Sequence, residues 1–229
     1  MKLVVFGANG ATGRQVTRLA MDDGHEVTAV VRDPATFAAP HGLRVVRADI
    51  LDPGAVDRAV SGQDAVVSAV GAAYTRKPVT MYSSGIANIA RAMGRDGVRR
   101  LVCVSSVCVP PSAAPGERMF FRAAVRPILR TIGRTAYADM VRMEAFLQAS
   151  DLDWTIIRAS GLFDGVDVTD YTIAPTRIPG LFTSRVDLAH ALLAAAVRNI
   201  HPRAVVDVIT AAGTPKFSSL LIKEVSRSR

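Results

Sequence analysis

The 229-residue chain sets 28 Lys and Arg against 20 Asp and Glu, a formal charge of +8, and is 49% hydrophobic. That size and apolar content suffice to bury a core without staples, which excludes a disordered polymer, and 17 Gly with 12 Pro exclude a collagen-like fibre. The excess of positive charge leaves nucleic acid, anionic surfaces and anionic small molecules as partner classes.

Taken in chain order, a strand is predicted over residues 3–6, a helix over 11–23 and a second strand over 26–31. A strand at 44–48, a helix at 53–61, a strand at 65–70 and a helix at 80–95 follow. The remaining elements are strands at 101–107, 154–158 and 204–209, with helices at 136–150 and 186–198. The strands are mostly Val, Ile and Leu without polar alternation, the mark of a sheet covered on both faces and therefore parallel. Gly24, Gly62 and Gly97 stand where helices should stop. Strand and helix in alternation predict an α/β, doubly wound parallel sheet of about seven strands with helices on both faces, in one domain spanning 1–229. Segments 110–135 and 164–184 break this rhythm. Both follow strands, so both are expected at the carboxyl ends of the sheet as lids or substrate loops.

Cys103 and Cys108 lie in or beside the apolar run 101–109 and read as packed small hydrophobes. No Cys/His cluster has metal-ligand spacing, so no metal is expected. No apolar run approaches the roughly 18 residues of a membrane span, the first residues are too short for a signal-peptide core, and a reducing cytoplasm is the expected compartment.

Gly7-Ala8-Asn9-Gly10-Ala11-Thr12-Gly13 follows the first predicted strand and opens the first helix. Glycines there permit a tight turn and a close approach of backbone to a pyrophosphate, and the free N–H groups of a helix start face its charge. The second strand ends in Val31-Arg32-Asp33, where a dinucleotide fold reads the adenosine ribose. Arg32 suits the 2′-phosphate of NADP and Asp33 the 2′-hydroxyl of NAD; Arg32 comes first off the strand, and Arg14 adds a second positive group, so NADP(H) is the expected cofactor. Asp49 stands either to meet the adenine edge or to cap the turn before Pro53. Small residues at Gly71 and Ala72 would let the cofactor backbone pass.

With these residues in place, the chain resembles the atypical branch of the short-chain dehydrogenase/reductase superfamily, which has a Rossmann fold. The resemblance rests on the glycine motif, Val-Arg-Asp-Pro (31–34), Ala-Asp-Ile-Leu-Asp (48–52), Gly-Gln-Asp-Ala-Val (62–66), Val-Ser-Ser-Val (104–107), Arg-Met-Glu (142–144), Leu-Asp-Trp-Thr-Ile-Ile-Arg (152–158) and Ser-Arg-Val-Asp-Leu-Ala (184–189). It is most similar to the NADPH-dependent flavin reductase/biliverdin reductase type, and more loosely to NmrA-type dinucleotide sensors. The resemblance implies that Gly7, Asn9, Gly10, Ala11, Thr12, Gly13, Arg32, Asp49, Ile50, Gly71, Ser105 and Ser106 line the cofactor. It also implies a catalytic pattern in which a Ser after the fifth strand polarises a carbonyl and a Tyr-x-x-x-Lys helix supplies a proton. Ser106 matches the Ser and Tyr137 the Tyr, but Val141 stands where the Lys belongs. The histidines of the flavin/biliverdin reductase type are likewise replaced, by Met140 and Gly161.

Arg118, Arg122, Arg126, Arg130 and Arg134 recur every fourth residue among apolar neighbours, with Pro127 expected to break or kink the segment. This stripe is a solvated helix face, a lid whose arginines attract anionic groups, or a membrane or partner surface. Nothing in the motifs supports nucleic-acid binding. The leading expectation is an NADPH-dependent reductase passing hydride to a planar acceptor, aromatic or anionic, such as a flavin, quinone or conjugated carbonyl. The alternatives are a non-catalytic dinucleotide sensor and a biosynthetic ketoreductase.

Overall fold

The computed structural model describes residues 1–73, 75, 77–109, 119, 123 and 126–215. All seven predicted strands form: β1 (Lys2–Phe6), β2 (Glu26–Val31), β3 (Arg44–Arg47), β4 (Ala65–Ser68), β5 (Arg100–Ser106), β6 (Asp153–Ala159) and, last in the chain, β10 (Ala204–Thr210). Three further short strands form: β7 (Gly161–Phe163) just before the stretch 164–184 expected to be irregular, and β8 (Tyr171–Ala174) and β9 (Phe182–Ser184) inside it. The main sheet has eight strands in the order β3-β2-β1-β4-β5-β6-β10-β8, parallel except for β8, which pairs antiparallel with β10; β7 and β9 form a separate parallel pair. An antiparallel strand at one edge is a common departure in otherwise parallel sheets.

Alternating side chains divide the core in two, as pleating requires. Leu3 and Val5 of β1 pack against α1 (Ala11–Asp22) and α6 (Arg185–Arg198), while Val4 and Phe6 join the core under α2 (Pro53–Val60), α3 (Met81–Asp96) and α5 (Arg134–Gln148). A further helix, α4 (Arg126–Ile132), precedes α5. Pro127 lies within it, next to Arg126; the residues just before the helix, 124 and 125, are outside the described ones.

Strand order reverses between β1 and β4, which opens a crevice at their carboxyl ends. β5 pairs with β4 only as far as Cys103 and runs on to Ser106, so its tip stands about 10 Å beyond the end of β4.

The start of α3 is held from another helix. Its own N-cap residue, Thr80, makes no side-chain cap, and the fully buried carboxylate of Asp139 on α5 instead accepts from the backbone N–H of Tyr82 (2.8 Å) and Ser83 (3.3 Å), from the Ser83 hydroxyl and from Arg142 (3.0 Å). Removing this acceptor leaves buried donors unmade. Asp139→Ala is therefore expected to lower unfolding stability by about 2–3 kcal/mol in urea titration, and a variant as stable as the parent would show that the cap is dispensable.

Candidate active site

Gly7 sits at φ +77°, a conformation that L side chains rarely adopt, and a Cβ on it would lie 2.9 Å from backbone atoms of Ala69 and Val70 beyond β4. A Cβ on Gly13 would lie 2.1 Å from the carbonyl oxygen of Gly7. The glycines thus let the first turn of α1 fold against the strand and let the loop touch the other lip of the crevice. Gly10, the N-cap of α1, makes no side-chain cap, and the first turn holds no acid. Its N–H groups remain available to an anion, and the exposed Ala11 and buried Thr12 continue this start of the helix. An anionic pyrophosphate fits this loop.

At the end of β2, Arg32 is exposed and has no hydrogen-bond or ion-pair partner among the described residues. Asp33 accepts from the Ala35 N–H (3.1 Å) and caps the short turn Pro34–Thr36. Its carboxylate is occupied locally, while the arginine beside it is open. Arg14 has a different role from a freely reaching cation: its Nε donates to the Asn9 carbonyl (3.0 Å), its Nη2 donates to the Asn9 side-chain oxygen, and its guanidinium lies 5.5 Å from the centre of the Phe37 ring. Asn9 in turn donates to Thr36 Oγ1 (3.0 Å), which ties the glycine loop to the turn after Arg32.

Asp49 accepts from the Leu51 N–H (2.9 Å), forming the turn that leads to α2, while remaining exposed at the crevice. Ile50 is buried, and its side chain fills the space that a Cβ on Gly85 would claim at 2.8 Å. Gly71 has open space where its Cβ would stand, consistent with room for a ligand, and the following Ala72 N–H donates to the Tyr82 hydroxyl (2.9 Å).

The two serines at the tip of β5 part company because successive strand residues face opposite ways. Ser105 is buried and its hydroxyl donates to Glu144 (2.6 Å), so its side chain is turned away from the crevice into the core. Ser106 is half-buried and accepts from the Cys108 N–H (3.1 Å). Tyr137 is buried on α5 and acts on the thiol of the same Cys108. Ser106 and Tyr137 thus both lie beside Cys108. Burial pushes that thiol up, and Arg126, Tyr137, Ser106 and Arg177 offset the rise. Cys103 is also buried and free, with its thiol pushed up by burial.

Sequence reasoning did not find the charged groups behind this tip. Glu144 pairs with Arg158 of β6, and Arg177, from the loop after β8, lies 3.0 Å from Asp207 of β10. Burial raises the Asp207 carboxyl, and Arg177 opposes the rise. Arg126 donates to the Val107 carbonyl at 3.0 Å and Arg177 donates to the same oxygen at 2.8 Å. Two cations from two different segments therefore meet one acceptor just past the β5 tip. Arg126 is only 4% exposed, so this member of the arginine stripe is no solvated charge; Arg134 is exposed, Arg130 half-buried, and Arg118 and Arg122 lie outside the described residues. The loop before α6 is anchored by Asp187, which accepts from the Thr169 N–H (2.7 Å) and hydroxyl (2.9 Å).

A hollow of about 440 Å³ lined by Lys2, His25, Arg44 and Gln63 lies at the amino ends of β1–β3, the opposite end of the sheet, and contains none of the site residues. Among the described residues no cluster of three His, Cys, Asp or Glu could hold a metal, and no helix is long and apolar enough to cross a membrane.

Comparison with known proteins agrees with the loop geometry. The photosystem II assembly factor Ycf39 of Synechocystis is 29% identical over 171 residues, covering 72% of this chain and 46% of that protein, so the chain spans about half the length of this relative. An uncharacterized chloroplastic protein of Arabidopsis thaliana is 28% identical over 95% of this chain and 79% of its own length. The fold is shared with a short-chain dehydrogenase/reductase from Veillonella parvula solved in complex with NADP (TM-score 0.76, 20% identity, 94% of this chain and 99% of that one). It is also shared with ChuY, an anaerobilin reductase from Escherichia coli (TM-score 0.73, 21% identity, 94% and 100%). A family model described as NAD(P)H-binding matches residues 7–199, from the first glycine of the loop to the end of α6, and the chain belongs to that NAD(P)H-binding family.

Proposed function

We propose that the protein is an NADPH-dependent reductase that delivers hydride to a planar acceptor such as a flavin, quinone or conjugated carbonyl. The observation that carries the NADP reading is the end of β2, where Arg32 is open to solvent while Asp33 caps its own turn. Gly7, Asn9, Gly10, Ala11, Thr12 and Gly13 would hold the pyrophosphate, Arg32 the 2′-phosphate, Asp49 and Ile50 the adenine side, and Gly71 the path towards Ser106. Arg14 would act mainly by fixing Asn9 and Phe37, and Ser105 by fixing Glu144 behind the strand tip. The bound dinucleotide supplies the hydride. The chain's task is to orient the nicotinamide and acceptor at the β5 tip and to exclude water there, with Ser106 and Tyr137 facing the acceptor. Calorimetry with NADPH and NADH, followed by NADPH oxidation with flavins, quinones and ketones, tests this reading. NADPH binding with turnover of one acceptor class supports it; binding without turnover of any acceptor defeats it.

One observation favours a second reading. Val141 replaces the lysine of the reductase pattern, and Ycf39 is named an assembly factor, so the chain would serve as a dinucleotide-dependent binding protein. That reading requires a partner whose affinity changes between NADP and NADPH.

A further inference from the structure

We propose that Thr36 determines cofactor specificity as a positioning residue for Arg32: its hydroxyl joins the glycine loop to the turn after β2 and so favours a dinucleotide that carries a 2′-phosphate. This inference rests on the reading of Arg32 as the group that meets that phosphate.

Its basis is a run of hydrogen bonds between two loops. Asn9 Nδ2 donates to Thr36 Oγ1 at 3.0 Å, and the same Oγ1 donates to the Asp33 carbonyl at 2.9 Å. A hydroxyl has one proton to give and lone pairs to receive with, so Thr36 is engaged in both senses at once. The Thr36 N–H also reaches the Asp33 carbonyl, at 3.3 Å. On its other side Asn9 is fixed by Arg14, whose Nη2 donates to Asn9 Oδ1 and whose Nε donates to the Asn9 carbonyl at 3.0 Å. With the amide oxygen turned to a guanidinium, the amide nitrogen is the atom left to face Thr36. The next residue repeats the link, for Phe37 is buried with its ring centre 5.5 Å from the Arg14 guanidinium. Thr36 and Phe37 together seat the turn on the glycine loop.

Arg32 stands at the near end of that turn. The residue before it is held by the Ala48 N–H, which donates to the Val31 carbonyl at 3.0 Å, and the residue after it, Asp33, is held by Thr36. The backbone is thus fixed on both sides of a side chain that is itself exposed and has no partner among the described residues. An arginine gives up rotamer freedom when it grips a phosphate, and a fixed base reduces what the contact must overcome. The pyrophosphate part of the site depends on Thr36 far less. Gly7 and Gly13 are set by backbone packing, and the loop keeps its own bond to β2, from the Ala8 N–H to the Val30 carbonyl at 3.3 Å. Losing the Thr36 hydroxyl therefore bears on the 2′-phosphate more than on the pyrophosphate, which separates NADP from NAD.

Calorimetry with NADP and with NAD reads the effect as a ratio of affinities. Thr36→Val keeps the branched shape and removes the hydroxyl from an exposed residue, so the fold does not depend on the change. It should weaken NADP by about three- to tenfold, as expected for one or two hydrogen bonds, and NAD by less than about twofold. Thr36→Ser, which returns the hydroxyl, should restore most of the NADP affinity. In an Arg32→Ala background, Thr36→Val should weaken NADP by less than about twofold more, because the side chain it positions is gone. An unchanged NADP affinity, equal losses for the two dinucleotides, no recovery with serine, or a full further loss in the Arg32→Ala background would overturn the proposal. The parent protein keeps the two readings apart: no preference for NADP over NAD defeats the assignment of Arg32 and the role of Thr36 with it, whereas a clear preference that survives Thr36→Val defeats only the role of Thr36.

Discussion

Gly13→Ala is expected to abolish measurable dinucleotide binding, weakening it on the order of 100-fold, and to lower stability by about 1–3 kcal/mol. The added methyl group would stand 2.1 Å from the Gly7 carbonyl oxygen, a backbone atom that cannot swing aside as a side chain can. Relief requires the loop to move away from the first turn of α1, which misaligns the N–H groups that would face a pyrophosphate. Calorimetry with NADP and urea unfolding measure the two effects. Gly71→Ala is the informative companion. Its Cβ meets nothing within 4 Å, so the fold should be unaffected, and any loss of NADP affinity reports that the ligand uses that space. Retention of tight NADP binding by Gly13→Ala would remove the loop from the site.

Arg32→Ala should weaken NADP by about 10- to 100-fold while changing NAD by less than about threefold, because a guanidinium–phosphate contact is charge-assisted and only NADP carries the 2′-phosphate. The arginine is exposed, so salt screens the contact and the difference should narrow as ionic strength rises. Calorimetry of both dinucleotides at two salt concentrations checks this. Equal losses for NADP and NAD, or tighter NAD binding by the parent protein, would reverse the reading of the β2 end. Asp33→Ala should have a smaller, conformational effect through the cap it gives to Ala35.

The glycine loop was readable from sequence because its spacing is itself a packing constraint: Gly7 and Gly13 are glycines where backbone meets backbone. The central strands were readable because burial on both faces leaves uninterrupted Val, Ile and Leu, as in Ala65–Ser68. Ser106 is matched to the catalytic Ser through the resemblance, since the two residues by themselves do not say which hydroxyl turns outward. That depends on strand phase, and the phase became visible only once Ser105 was found bonded to Glu144, 39 residues away. The ion pairs behind the site were hidden for the same reason, since Arg177 and Asp207 are neighbours only after β8 has turned back along β10. The regular arginine stripe did not reveal which of its members would be buried. Fourfold spacing left a solvated face, a lid and a partner surface open, yet Arg126 is buried on the Val107 carbonyl, where only tertiary packing could place it. The antiparallel edge strand lay in a stretch whose turns and half-buried residues carry no strong period.

The small β7–β9 pair has a consequence for how such a protein can change. Gly161 faces Phe182 and donates its N–H to the Leu181 carbonyl (3.0 Å), so the chain that leaves the main sheet after β6 is closed at its base before it re-enters α6. Between those pinned ends β8 and Arg177 are tied to β10, and the turns that join them are the part open to change. Lengthening a loop already closed at its neck costs little, about 0.6 kcal/mol per doubling. Descendants of this chain can therefore vary those turns by insertion and replacement, while the dinucleotide half is inherited unaltered.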